Sequence, residues 1–157
     1  MLEEEVHEAR AVTLTGMGER VHLTSKDVRM ETAIQDVLKA IEYNDPSDFV
    51  LLGQSFAGKV VAAVADRVLE KARLFLYLDA FRPSKVRTRG GLQSFGVWTA
   101  PPGSWKVPFT ERILDAIGEG VQGSDREWML SKATSWPTKH SIEPIALSEN
   151  FDAVKSA

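Results

Sequence analysis

The middle of the chain constrains the fold most, because two short apolar runs flank a helical pattern. Residues 49–52 form a continuous apolar run that ends at Gly53, and residues 74–78 form a second that ends at Asp79. Apolar runs of this length are typical of strands buried on both faces of a parallel sheet. Residues 58–70 between them follow a helical pattern. Strand, helix and strand in this order predict a right-handed βαβ unit within an α/β fold.

The rest of the chain predicts shorter elements. A strand is expected over residues 11–14, before the turn-rich residues 15–18. Residues 30–43 place their apolar side chains on one helical face. Short helices are expected over 110–117 and 124–132, and Ser124 with Glu127 matches a capping box at the start of the latter.

Composition excludes several classes of protein. The 157 residues suffice for one domain, and the net charge of −3 favours neither nucleic acid nor an anionic membrane as partner. No apolar run reaches the roughly 20 residues of a membrane helix. Residues 1–10 are acidic and lack the apolar region of a signal peptide. With no cysteine, disulfides and cysteine-bound metals are excluded. We therefore expect a cytoplasmic protein without metal or cofactor.

The second half of the chain differs in character from the first. Residues 82–109 are rich in Arg, Gly and Pro without a clear period, and all tryptophans lie at or after position 98. We predict that residues 84–148 form a helical cap over a core made by residues 1–83 and 149–157. The tryptophans either fill a small helical core or line an apolar lid.

The sequence Gly53-Gln54-Ser55-Phe56-Ala57 carries the clearest chemical signal. A serine becomes a nucleophile when a sharp strand-to-helix turn, the nucleophile elbow, presents its hydroxyl to a base. The residues two before and two after the serine must be small, because their backbones nearly touch. Gly53 meets this requirement, and Ala57 adds only a methyl group. The Phe56 backbone N–H would supply half of an oxyanion hole.

A rival interpretation uses the same residues as a phosphate-binding loop. Residues 53–59 match the pattern G-x-x-x-x-G-K, and Asp79 could serve as the magnesium-binding partner. Two features disfavour it. Position 60 is Val where a hydroxyl should bind Mg²⁺, and Phe56 places a bulky apolar group in a loop that must wrap phosphates.

The order of several short motifs resembles a bacterial esterase-like branch of the α/β-hydrolase superfamily, similar to plant methylesterases and hydroxynitrile lyases. The motifs are Thr13–Leu23, Ile34–Val37, Ile41–Tyr43, Gly53–Gly58, Val64–Val68, Tyr77–Phe81, Trp105–Pro108, Asp125–Trp128 and Glu143-Pro144. The resemblance extends over nearly the whole chain and implies an α/β-hydrolase fold with a cap.

The resemblance also implies a Ser-Asp/Glu-His triad that hydrolyses small esters or related carbonyl compounds. Ser55 matches the nucleophile and Phe56 the oxyanion donor. Asp79 is either the acid or a structural residue at a strand end. His140 is the one histidine after both, and we expect it in a solvated loop rather than as the base; His7 and His22 match no triad position.

Compared with this family, the chain is expected to be truncated at both ends. The resemblance places its start within the first helix, after the strand and the His-Gly loop that carries the second oxyanion N–H. Its end falls before the last strands, which carry the usual acid and histidine. The family's third strand would lie between residues 11–14 and 49–52, so its absence predicts unpaired edges. The retained strands must then re-pair, accept a strand from another chain or stay loosely folded.

These considerations predict an ester hydrolase with Ser55 as nucleophile and a small molecule as substrate. Without a base, hydrolysis should be slow. The alternative is a non-catalytic remnant or a module that binds a small ligand.

Overall fold

The computed structural model describes residues 8–68, 70–83, 100–149, 151 and 157. The helices are α1 (Met30–Asn44), α2 (Ala57–Ala65), α3 (Glu111–Ile117), α4 (Gly123–Lys132) and α5 (Thr138–Ile142), with a 3-10 helix at Gly18–Leu23. The strands are β1 (Phe49–Ser55), β2 (Ala72–Ala80), β3 (Lys106–Val107) and β4 (Trp136–Pro137).

The βαβ unit predicted from the apolar runs is confirmed. β1 and β2 pair in parallel, with Val50 opposite Leu74 and Gln54 opposite Leu78. The register then shifts, so that Ser55 lies opposite Ala80 and one residue of β2 bulges out of the ladder. The carboxyl ends of both strands therefore lie at the same edge of the sheet.

The core forms where α1 and α2 pack on one face of this sheet. Phe75 from β2 is 2% exposed and joins the apolar faces of both helices. The helical members of the cluster are the buried side chains Met30, Ala33, Ile34, Val37, Ile41, Val60, Val61, Ala62, Ala63, Val64 and Ala65. Burial of this apolar surface is the main stabilising contribution to the fold.

The opposite face of the sheet is only partly covered, so the prediction of strands buried on both faces is wrong for the described residues. Val50, Leu52 and Leu78 keep 49%, 48% and 55% of their surface exposed. An apolar run favours burial on both sides, but burial also needs an element that covers each face. The helices α1 and α2 both contribute to the cluster around Phe75, which lies on the other face.

The strand predicted at residues 11–14 is also wrong. These residues are irregular, and local contacts satisfy some of their carbonyls: Thr13 accepts from Arg20 (2.8 Å) and Leu14 accepts from the Met17 N–H (3.1 Å). A strand requires a neighbour to pair with, and among the described residues β1 pairs only with β2. The turn predicted at residues 15–18 is confirmed, with Gly16 at a φ of 87°.

Helix boundaries in two places differ from the sequence pattern. α2 ends at Ala65 instead of residue 70, and the Asp66 carboxylate that follows accepts hydrogen bonds from the Ser148 N–H (2.8 Å) and hydroxyl (2.6 Å). The prediction of a capping box at the start of α4 is also wrong. The helix begins at Gly123, so Ser124 already lies inside its first turn.

Part of the predicted cap, residues 84–99 with Trp98, lies outside the described residues. Trp136 is buried at 8% exposure, whereas Trp105 and Trp128 are 37% and 63% exposed, so the latter two do not fill a helical core. The division of the chain into core and cap stays a prediction. No described helix combines the length and the apolar character needed to cross a membrane.

Candidate active site

The backbone turns sharply at Ser55, between the end of β1 and the start of α2. Ser55 has a φ of 50°, in the left-handed region that disfavours residues with a Cβ by roughly 1–2 kcal/mol. The next residue, Phe56, is already in a right-handed helical conformation. Ser55 itself stays partly exposed. The strained turn that a nucleophile elbow requires is thus present at this serine.

Two glycines make the turn possible because the backbone passes too close for a side chain. A Cβ on Gly53 would lie 2.6 Å from Val61 Cγ2 and 2.9 Å from the carbonyl carbon and oxygen of Ala57. A Cβ on Gly58 would lie 2.7 Å from the Phe81 carbonyl oxygen. All of these distances are shorter than real Cβ contacts, so these positions require glycine. The Ala57 methyl group is accommodated.

The Phe56 amide lies between Ser55 and the start of α2. It precedes the first turn of α2, and the Phe56 carbonyl accepts from the Lys59 N–H (3.1 Å). Within the described part of the chain, no group accepts from the Phe56 N–H. A free amide at a helix start favours negative charge, which is the requirement for an oxyanion donor.

Asp79 lies beside Ser55 at the carboxyl end of the neighbouring strand. It is the bulged residue of β2, with a φ of 43°, and its side chain is exposed. The Ser55 carbonyl accepts from the Phe81 N–H (3.0 Å), which ties the two strand ends together. No described residue hydrogen-bonds the Asp79 carboxylate, so neither a triad contact nor a structural tie is formed there.

His140 differs from its prediction, because it is not in a solvated loop. It lies in α5 and is 0% exposed. Neither ring nitrogen has a hydrogen-bond partner in the described structure, including Ser55. The residues around it are polar in sequence, but the short helix turns both His140 and Ser141 inward and leaves Ile142 exposed. A base must reach the hydroxyl that it deprotonates, and His140 does not do so here.

The surroundings of His140 keep its ring uncharged at neutral pH. Burial lowers the pKa of His140 to about 4, although the nearby carboxylates of Asp36 and Glu143 act in the opposite direction. Its ring stacks on Phe56, with the ring centroids 6.3 Å apart and an interplanar angle of 17°. His140 thus packs directly against the residue that follows the candidate nucleophile.

Lys59 has a structural role that excludes it from a phosphate-binding loop. The side chain is 7% exposed, and its Nζ donates to the carbonyls of Ser141 and Glu143, both at 2.9 Å. An ammonium group already committed to two backbone carbonyls in the interior cannot reach a phosphate. The G-x-x-x-x-G-K pattern predicts Lys59 as a phosphate ligand, which is wrong. A lysine among the small apolar residues of a buried helix was the signal that it has an internal partner.

The sequence of the chain was compared with those of known proteins. No protein-family model matches it. Over 77 residues, which are 49% of this chain, it is 46% identical to a carbendazim-hydrolyzing esterase from Nocardioides sp. (strain SG-4G). The match spans 32% of that esterase.

Solved structures extend the likeness to the fold of the whole described chain. An extracellular α/β-hydrolase from a Paenibacillus species matches with a TM-score of 0.81 at 20% identity. A methylesterase from Arabidopsis matches with a TM-score of 0.73 at 16% identity. Each match covers 99% of this chain and 66% of the other, so the chain spans just under two thirds of these proteins. The chain therefore has an α/β-hydrolase fold in part, as predicted, and its sequence is related to that of an esterase.

Proposed function

We propose that this chain carries the nucleophile of an ester hydrolase, with Ser55 as the attacking residue. The left-handed conformation of Ser55 at the carboxyl end of β1 is the observation that supports this most strongly. Such a conformation costs stability, and structures retain it where the side chain must be presented in a fixed direction. The close approaches at Gly53 and Gly58, which leave no room for a Cβ, also support the proposal.

The proposed chemistry is acyl transfer to the Ser55 hydroxyl. The Ser55 hydroxyl gives its proton to a base as its oxygen attacks the ester carbonyl, and the Phe56 amide stabilises the negative charge on the carbonyl oxygen with one hydrogen bond. When the carbonyl re-forms, the bond to the alcohol oxygen breaks and the protonated base gives its proton to the leaving alcohol. The same base then takes a proton from water, which attacks the acyl group and releases the acid, and Ser55 recovers its proton. Asp79 lies beside the serine at the next strand end and is the proposed acid, which would orient a base.

The described residues provide no base for this reaction. His22 is exposed in the 3-10 helix, and the ring nitrogens of His140 are buried without contact to Ser55. A serine hydroxyl without a base reacts slowly. We therefore expect low hydrolytic activity that rises when a soluble base such as imidazole is added.

Hydrolysis of p-nitrophenyl acetate and butyrate tests the proposal. Imidazole also cleaves these esters directly, so the rate measured without protein at each imidazole concentration is subtracted. Ser131→Ala, on α4, is the matched control. We expect an imidazole-dependent rate that Ser55→Ala lacks and Ser131→Ala keeps. Equal rates in all three proteins would exclude Ser55 as a working nucleophile.

The substrate class follows from the relatives and is part of the proposal. The esterase that shares 46% identity is named for carbendazim hydrolysis, so carbendazim is the first specific substrate to test. Release of product by the parent protein, and none by Ser55→Ala, would support a shared substrate. Turnover of p-nitrophenyl esters without turnover of carbendazim would restrict the proposal to simple esters.

A second candidate function is binding of a small ligand without turnover. The observation that favours it is the lack of any hydrogen-bond partner for the His140 nitrogens and of any base near Ser55 among the residues described. A fluorophosphonate probe separates the two candidates, because only an activated serine forms the phosphonyl adduct. Labelling of Ser55 supports the hydrolase, and lack of labelling together with saturable binding of a p-nitrophenyl ester supports the binding module.

Two further parts of the proposal concern the surroundings of the chain. We propose that the outer edge of β1, which pairs with no other described strand, joins a second copy. Light scattering of the parent and of Val50→Lys tests this, since a charge at that edge should release monomers.

The cytoplasmic location also remains a proposal, and cell fractionation tests it.

A further inference from the structure

The elbow helix and the segment around α5 are joined by a buried ammonium group. Lys59 lies one turn after Ser55, and its Nζ donates to two carbonyls that are 82 and 84 residues away in sequence. Those carbonyls belong to Ser141 and Glu143, at and just after the end of α5. Burial lowers the pKa of Lys59, because removal from water disfavours the charged ammonium group. The two hydrogen bonds must compensate for this loss of solvation.

The same segment is fixed at further points. The Trp136 indole N–H donates to the Ser141 hydroxyl at 3.2 Å in the interior. The Glu143 carboxylate binds the Arg29 guanidinium at 2.8 Å and also accepts from the Met30 N–H, at the start of α1 (3.2 Å). The turn that contains His140 is therefore held from α1 and α2 together.

The position of His140 gives this attachment a consequence at the elbow. The ring has no hydrogen bond at either nitrogen, although a buried donor or acceptor without a partner costs roughly 1–3 kcal/mol. Its evident contact is the stacked ring of Phe56. An aromatic ring pressed on Phe56 restricts the residue whose amide lies next to Ser55.

We propose that Lys59 and His140 are positioning residues of the elbow: Lys59 holds the turn after α5, and that turn presses His140 onto Phe56 and fixes its amide. The link to catalysis rests on the proposed function, but the link between the two segments does not. A ring that only packs can be replaced by another ring. A lysine that only donates to carbonyls can be replaced by another cation.

Amide hydrogen exchange, followed by NMR, reads this positioning directly. The Phe81 amide, which donates to the Ser55 carbonyl (3.0 Å), reports the elbow, and the Ile34 amide, in the buried face of α1, reports global unfolding. In Lys59→Met and His140→Ala we expect the Phe81 amide to exchange about tenfold faster relative to Ile34. In Lys59→Arg and His140→Phe the ratio should stay near that of the parent. Lys39→Met, at an exposed ion pair on α1, is the matched control and should also leave the ratio unchanged.

Two outcomes would overturn the proposal. One is an unchanged ratio in His140→Ala and Lys59→Met, and the other is an equal rise in the exchange rates of both amides. If Lys59→Met does not fold, the comparison of His140→Ala with His140→Phe decides alone. Fluorophosphonate labelling of the same variants tests the proposed function separately. If the parent is not labelled while the exchange ratio responds as expected, the hydrolase proposal fails and the positioning stands.

Discussion

The elbow and the segment around α5 meet at Phe56 but are held in different ways. The elbow is fixed by close backbone approaches between residues near in sequence, such as Gly53 and Ala57. The other segment, residues 134–143, which we term the cap base, is fixed by polar contacts from distant parts of the chain, such as Lys59 to Ser141. The elbow therefore depends on residues without a side chain where the backbone passes close, whereas the cap base depends on specific hydrogen-bond partners.

The largest effect should come from adding a methyl group at the elbow. Gly53→Ala places a Cβ 2.6 Å from Val61 Cγ2, so the strand or the helix must shift. We expect a loss of about 3 kcal/mol in the free energy of unfolding, measured with urea. Gly103→Ala is the matched control. Its Cβ meets no atom within 4 Å, and its φ of 78° should cost about 1 kcal/mol. Equal losses would show that the close approach at Gly53 is not a constraint.

The cap base should respond to acid through His140. Because its folded-state pKa of about 4 lies below its ordinary value of 6.5, the unfolded chain binds the proton first as pH falls. Stability should therefore be lost as pH falls from 6.5 to 4, by up to about 3 kcal/mol.

Urea unfolding of the parent and of His140→Phe across this pH range isolates the contribution of His140, since carboxylates titrate in both proteins. The variant should lose less stability in acid, and His22→Phe, at an exposed position, should behave like the parent. Parallel pH profiles for the parent and His140→Phe would contradict the neutral, buried state of the imidazole.

The smallest effect should come from the exposed rim of the cap base. Glu143→Gln weakens the ion pair with Arg29, whose side chain is 58% exposed, but keeps an acceptor for the Met30 N–H. We expect the melting temperature to fall by about 3 °C. The difference from the parent should shrink at high salt, because solvent ions screen the pair. A difference that does not depend on salt would assign the effect to the backbone contact instead.

The contrast also explains how much the sequence could predict. Each strand and helix of the βαβ unit follows from a local pattern, and the turn at Ser55 depends on the small residues two positions before and after it, so spacing and residue size are sufficient to predict them. The polar residues beside His140 suggest a solvated loop, which is wrong. The apolar residues around Lys59 indicate that it has an internal partner, but they do not identify the carbonyls of Ser141 and Glu143, which lie 82 and 84 residues away. The partners of a buried polar group are set by tertiary structure.

The errors in the sheet have the same origin. Val50 and Leu52 have the apolar character of a doubly covered strand, yet nearly half of their surface is exposed. Residues 11–14 have the composition of a strand without a partner in the described structure. In both places the residues have the apolar character that strands prefer. Their local sequence does not indicate whether a helix covers the strand or a neighbouring strand pairs with it.

The central claim is that the turn after β1 presents the Ser55 hydroxyl as a nucleophile. Incubation with a fluorophosphonate, followed by intact mass measurement and peptide mapping, tests it most directly. The account predicts a single adduct on the peptide that contains Ser55, faster labelling with added imidazole, and no adduct in Ser55→Ala. An unlabelled parent protein, or an adduct that persists in Ser55→Ala, would contradict it.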